Sequence, residues 1–198
     1  MRLLVLIVTI FLTGCTVRGN VISSQGLIEG WQHSGFKSIN NDIQMLFYVE
    51  NDDYLSLDET LVGVTTKDRK ASMKTSIGKK PFLIRVKIET NKPNVYLQQT
   101  ARLVIADQEY QPILVKKGID RVSTGRESYQ VKLAEYQAFM AVDHTLQEID
   151  HNWLWFEFDL KTPHPNQSFS MYLRLKDNGV EQVLTANFNP KQMGIYHH

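Results

Sequence analysis

From Ile43 onward, apolar residues recur at every second position, the spacing at which successive side chains of a strand point to opposite faces. Met45, Phe47 and Val49 keep this period. In 81–90, Phe82, Ile84, Val86 and Ile88 share one face while Arg85, Lys87 and Glu89 share the other, which predicts a half-buried strand. Leu103 and Ile105 continue the pattern after a turn at Asn91-Lys92-Pro93-Asn94. Leu154, Phe156, Phe158 and Leu160 form a further apolar face, and Phe169, Met171, Leu173 and Leu175 another. Asp177-Asn178-Gly179 predicts a hairpin turn whose returning strand carries Leu184, Ala186 and Phe188.

A single stretch has helical spacing: over 129–147, Val131, Ala134, Tyr136, Ala138, Phe139 and Val142 can share a broad apolar face. Short strands at roughly ten-residue spacing, with turns between them, predict a mainly β chain. The fold expected is an antiparallel two-sheet β-sandwich, immunoglobulin-like or related, with one helix near 129–147. A small closed β-barrel has a similar sequence pattern and is the alternative.

Composition narrows the class without altering the fold. With 198 residues, 42% hydrophobic and 22% charged, the chain can bury a real core, which excludes fibrous and disordered classes. Lys plus Arg is 22 against 21 for Asp plus Glu, so no global field draws the chain to nucleic acid. One cysteine, Cys15, allows no intramolecular disulfide.

The position of that cysteine carries the most specific signal. Arg2 is followed by the apolar run Leu3 to Leu12 and the small residues Thr13 and Gly14, the order of a secretory signal. As a helix the run is about 15 Å long against about 30 Å of hydrocarbon, too short to span. Leu12-Thr13-Gly14-Cys15 resembles the lipobox of bacterial lipoproteins. The resemblance implies transfer of diacylglycerol to the Cys15 sulfur, cleavage between Gly14 and Cys15, and acylation of the new amino group. A thiolate is a fitting acceptor, and small residues let a protease approach the backbone. Thr16, where aspartate would mark inner-membrane retention, implies an outer-membrane anchor, with the domain in the periplasm or at the surface. Residues 1–14 are therefore expected as signal peptide, 15–35 as a lipidated flexible tether, and 36–198 as one sandwich domain.

Three groups of side chains invite a chemical reading. His144, Glu148 and His151 are spaced to share one helix face, and two imidazoles with a carboxylate suit zinc or iron; the expected role is nevertheless a polar connection with no metal. Trp153, Trp155, Glu157 and Asp159 lie opposite the apolar face of their strand. Tryptophans beside carboxylates can form a partner-binding or sugar-stacking surface, and paired carboxylates serve glycoside hydrolysis; the more common arrangement is for such tryptophans to pack under a covering helix or loop while the carboxylates face water. Lys67, Arg69, Lys70, Lys74, Lys79 and Lys80 form a basic stretch that can meet lipid phosphates or an acidic polymer, and that a mobile, solvated hairpin loop explains equally well.

No Gly-x-Ser-x-Gly, His-Glu-x-x-His, Walker or Gly-x-Gly-x-x-Gly motif occurs in the chain. The function expected is a membrane-anchored, non-catalytic binding or assembly module without a cofactor, whose partner is another envelope protein. The alternatives are a periplasmic glycan hydrolase using Glu157 and Asp159, and a carrier or sensor of a small apolar ligand.

Overall fold

A computed structural model describes residues 16–61, 64–68, 75–90, 95–119, 144–145 and 152–197. Fourteen strands lie among them, in chain order β1 (Thr16–Ile28), β2 (Gln32–Ser34), β3 (Lys37–Asn40), β4 (Ile43–Val49), β5 (Asp53–Leu61), β6 (Val64–Asp68) and β7 (Phe82–Thr90). These are followed by β8 (Val95–Ile105), β9 (Gln108–Tyr110), β10 (Leu114–Ile119), β11 (His144–Thr145), β12 (Asn152–Phe158), β13 (Phe169–Asp177) and β14 (Val180–His197). They form two antiparallel sheets. The first runs β11-β8-β13-β14-β1-β5-β6, with β9 also paired to β8, and the second runs β10-β12-β7-β4-β3-β2.

The inward positions are those that the alternation marks. Ile43, Met45, Phe47 and Val49 of β4, Phe82, Ile84, Val86 and Ile88 of β7, and Leu154, Phe156 and Phe158 of β12 are buried on one side of the core. Ala101, Leu103 and Ile105 of β8, Phe169, Met171, Leu173 and Leu175 of β13, and Leu184, Ala186 and Phe188 of β14 face them. The predicted hairpin is present: Asn178 and Gly179 have φ of 49° and 87° between Asp177 and Val180, the left-handed pair that a tight two-residue turn requires. Neither sheet closes on itself, so the barrel alternative is corrected to a sandwich. With eight and six strands it exceeds the about seven to nine of an immunoglobulin domain.

Aromatic rings join the two sheets. Phe158 and Phe82 of the second sheet lie 6.3 Å apart, and Phe82 meets Phe169 of the first edge-on at 5.5 Å. Phe169 stacks on Phe188 at 4.5 Å, and Phe188 returns to the second sheet through an edge contact with Phe47 at 5.4 Å. Such pairs add about 0.5–1.5 kcal/mol each beyond the apolar area they bury.

The expected tether over 15–35 is corrected. Thr16 opens β1, an interior strand of the first sheet bonded to β14 on one side and β5 on the other. Ile28 is 1% exposed, and Gln32–Ser34 pairs with Lys37–Ser38–Ile39 of β3. The alternation is hidden in β1 because its inward positions include Ser24 and Gly26, not large apolar residues. Gly26 is required by space: a Cβ there would stand 2.5 Å from the Phe188 ring and 2.9 Å from Phe47 Cβ.

The helix expected over 129–147 falls outside the described residues except at His144 and Thr145. Those two pair as strand with Leu97 and Tyr96, so a helix cannot run unbroken to Gln147.

Gly26→Ala forces a methyl between the two rings that hold the sheets together. It is expected to lower the unfolding free energy by about 1–3 kcal/mol, the usual cost of overpacking, measured by denaturant unfolding with an unchanged m-value. An unchanged midpoint would show that the rings move apart freely.

Candidate functional site

Between β4 and β5 the chain leaves the second sheet for the first, and the residues of that corner are polar. Asn51, fully buried, accepts the Ser24 N–H at 3.2 Å and donates to Ser24 Oγ at 2.8 Å and to the Pro163 carbonyl at 3.3 Å. Beside it, His164 Nδ1 accepts the Asn166 N–H at 3.2 Å, which leaves the ring proton on Nε2, 3.3 Å from Asp53 Oδ2. Thr162 exchanges backbone hydrogen bonds with Gly78 and Lys79 at 2.9 and 2.8 Å. The segment following β12 is thereby fastened across this end of the sandwich.

Asp52 is half-buried, and burial raises its carboxyl above the ordinary value near 3.8, while a hydrogen bond from Ser23 pulls it partly back. The same carboxylate acts on two tyrosines. Burial first, and then Asp52, raise the hydroxyls of Tyr48 and Tyr54, so both remain hydrogen-bond donors at neutral pH.

The outward face of the second sheet begins at this corner. Pairing sets Tyr48 of β4 opposite Arg85 of β7, and Arg85 opposite Trp155 of β12. The guanidinium lies 4.1 Å from the Tyr48 ring centroid and 5.0 Å from that of Trp155, with Nη2 2.9 Å from Glu50. A cation between two aromatic faces gains about 0.5–2 kcal/mol from each, depending on desolvation. Arg85 Nε is buried with no hydrogen-bond partner, so the rings and Glu50 hold this side chain. Further along the face, Lys87 and Lys37 converge on Glu89 at 2.7 and 3.9 Å. They line a depression of about 60 Å³ with Gln44 and Leu46, room for a few waters only.

The structure places the sequence-predicted residues unevenly. Trp155 and Glu157 do face away from the core side chains Leu154, Phe156 and Phe158. Trp155 is only 9% exposed, however, and Arg85 lies over its ring, so it is not an open sugar platform. Trp153 pairs with Lys87 and Gly118 along the same strand. Glu157 stands opposite Leu83 and Leu114, whereas Asp159 lies beyond the end of β12 in an exposed ion pair with Lys80 at 2.8 Å. The two carboxylates therefore belong to different surroundings.

Of the basic stretch, Lys67 pairs with Glu59 across β5 and β6, and Lys79 Nζ donates to the Thr75 carbonyl at 2.6 Å. Lys80 is held by Asp159, and Arg69, Lys70 and Lys74 lie outside the described residues. Glu148, His151, Gly14 and Cys15 also lie outside them. His144 is in strand β11, so the shared helix face that its spacing to Glu148 implies is not formed at that residue. Among the described residues no group of three or more His, Cys, Asp or Glu side chains is placed to hold a metal ion.

Sequence reading did not find Tyr48, Arg85, Asn51 or Asp52. The outward position of Tyr48 and Arg85 follows from the alternation, but the pairing of β4 with β7 that brings them together has no signature in either strand alone. No protein-family model, curated protein or solved structure matches the chain.

Because its folded-state pKa is raised, Asp52 binds its proton more tightly in the folded chain than in the unfolded one. Stability from this group is therefore fully present below about pH 3.8 and is lost as pH rises from there through the raised value. Asp52→Asn keeps an acceptor for Ser23 and removes the charge. It is expected to raise the Tm at pH 7 by a small amount, and the gain should vanish near pH 3. A variant less stable than the parent at pH 7 would contradict the burial cost.

Proposed function

We propose that the chain is a bacterial envelope lipoprotein, anchored through acyl groups on Cys15, that binds another envelope protein without catalysing a reaction. The anchor is supported by the run from Leu3 to Leu12 leading directly into Leu12-Thr13-Gly14-Cys15. Two or three acyl chains, at about 0.8 kcal/mol for each buried methylene, hold a protein on a bilayer essentially permanently. Thr16 after Cys15 favours the outer membrane.

The observation that carries the binding role is Tyr48, exposed on the outward face of the second sheet at the end of a row in which Arg85 lies between it and the buried Trp155. Tyrosine is among the residues that dominate protein interfaces, because it supplies a large contact surface with few torsions to fix. Here the row is ordered before any partner arrives, and Tyr48 remains 41% exposed at its end. Preorganisation of this kind lowers the cost of association. Among the described residues, the depression beside it has room for a few waters, and Asp159 is engaged by Lys80.

Two measurements test the reading. Intact mass of the protein purified from membranes should show a chain beginning at Cys15 with fatty acids attached, and Cys15→Ser should leave the chain unacylated and shift it out of the washed membrane fraction. A mature chain without acyl mass ends the anchor hypothesis. Tyr48→Ala, which leaves the core untouched, should weaken capture of the co-purifying envelope protein about tenfold, the equivalent of about 1.4 kcal/mol at an interface hot spot. Undiminished capture removes this face from the binding role.

A further inference from the structure

An anchored protein ordinarily hangs from a flexible segment, and in this chain the residue next to Cys15 is already in a sheet. Thr16 pairs with Thr60 of β5, and Val17 with His197 of β14. From there the β1–β14 register runs without a shift to Ile28 opposite Ala186.

Among the described residues, the second sheet packs on the distal part of this run. Phe47 of β4 lies against Gly26, Ser38 of β3 hydrogen-bonds the Ile28 N–H at 2.9 Å, and the corner residue Asn51 reaches Ser24. Beyond Asn51 the chain has already crossed into the first sheet, where Asp53 pairs with Ile22 and β5 continues to Thr16. Among the described residues, β1 from Thr16 to Asn20 is held by pairing within its own sheet, to β14 on one side and to β5, itself paired with β6, on the other.

We propose that this four-stranded projection, β14-β1-β5-β6, is a rigid stalk that seats the protein on the phospholipid surface and takes the place of a tether. The proposal rests on acylation of Cys15. With about 3.3 Å per residue, the five residues from Thr16 to Asn20 span about 16 Å, and Gly26, where the two sheets meet, stands at most about 33 Å from the start of β1.

Local packing stiffens the projection. Leu57 of β5 is 5% exposed and crosses Gly19, where a Cβ would collide with the Ser56 carbonyl oxygen. The Asn20 N–H donates to Ser56 Oγ at 3.2 Å. Its strands carry charges of both signs in sequence, Arg18 and Lys67 with Asp58, Glu59 and Asp68. A stalk of paired strands fixes the height and the orientation of the Tyr48 face, where a flexible tether of similar length would leave both free.

The test uses the full-length acylated protein in nanodiscs, with a fluorophore on Gln182→Cys, an exposed site near the far end of β14. Acylation blocks the thiol of Cys15, so the label has one attachment site. Time-resolved energy transfer to a dye in the headgroup layer should give a single narrow distance distribution. Ten Gly/Ser residues inserted between Thr16 and Val17 should broaden it by about 17 Å, the dimension of such a linker. Gly19→Val should broaden it as well, while the near-ultraviolet dichroism of the core stays unchanged. Equal, broad distributions for the parent and the insertion variant, in samples whose mass confirms the acyl chains, would overturn the stalk and leave the anchor standing. Samples lacking acyl mass would overturn both.

Discussion

The side-chain amide of Asn51 is the interaction on which the arrangement of the two sheets depends. A chain that crosses from one sheet to the other must bury a stretch of backbone that belongs to neither ladder, and its polar groups need partners. Asn51 supplies them in three directions at once, to the backbone and hydroxyl of Ser24 in β1 and to the carbonyl of Pro163 in the closing segment. A buried amide left unpaired costs about 1–3 kcal/mol, so the amide favours the corner, the interior strand and the closing segment being ordered together. An apolar residue could fill the volume at Asn51, but it could not satisfy the Ser24 N–H.

From that corner the aromatic contacts follow. With the corner locked to Ser24, Phe47 is carried to the level of Gly26, where the missing side chain lets it reach Phe188. Phe188 is in turn stacked on Phe169, and Phe169 meets Phe82. The hydrogen bonds at the corner set where the sheets meet, and the ring contacts supply attraction there. The same corner sets the outward face. Tyr48 is three residues before Asn51, on the opposite side of β4 from Phe47, and its position over Arg85 is inherited from the pairing of β4 with β7.

The alternating strands were legible because one face of each is apolar: β4, β7, β12, β13 and β14 all show apolar residues at every second position where the structure buries them. β1 was not. Gly26 and Ser24 occupy inward positions that in a typical strand would be large and apolar; the volume at Gly26 is already taken by Phe188 and Phe47, and Ser24 meets the Asn51 amide. Glycine and polar residues near a chain start then resemble a linker. The outward position of Trp155 was likewise visible in the sequence, and packing under a cover was the common arrangement for it, but Arg85 as the residue over its ring was not, since it comes from a strand about seventy residues earlier and is brought there by the register of β7 and β12. Asn51 gave no signal at all, because a buried asparagine and an exposed turn asparagine have the same sequence context.

On the proposed reading, the misjudged strand is also the one that matters for function. If lipid is attached at Cys15, then β1 transmits the position of the bilayer straight into the interior of the first sheet, and Asn51 passes it on to the second. Sheets do not bend in their own plane as loops do, because each strand's backbone is fixed by two neighbours. The consequence is a fixed geometric relation between membrane and Tyr48 face. A partner confined to the same envelope then meets that face at one height and within a narrow range of angles, and loses less orientational freedom on binding than it would against a tethered domain. A row of residues already held in place by Arg85 and Glu50 is suited to such an encounter, since neither the mounting nor the contact surface has to be ordered when the partner arrives.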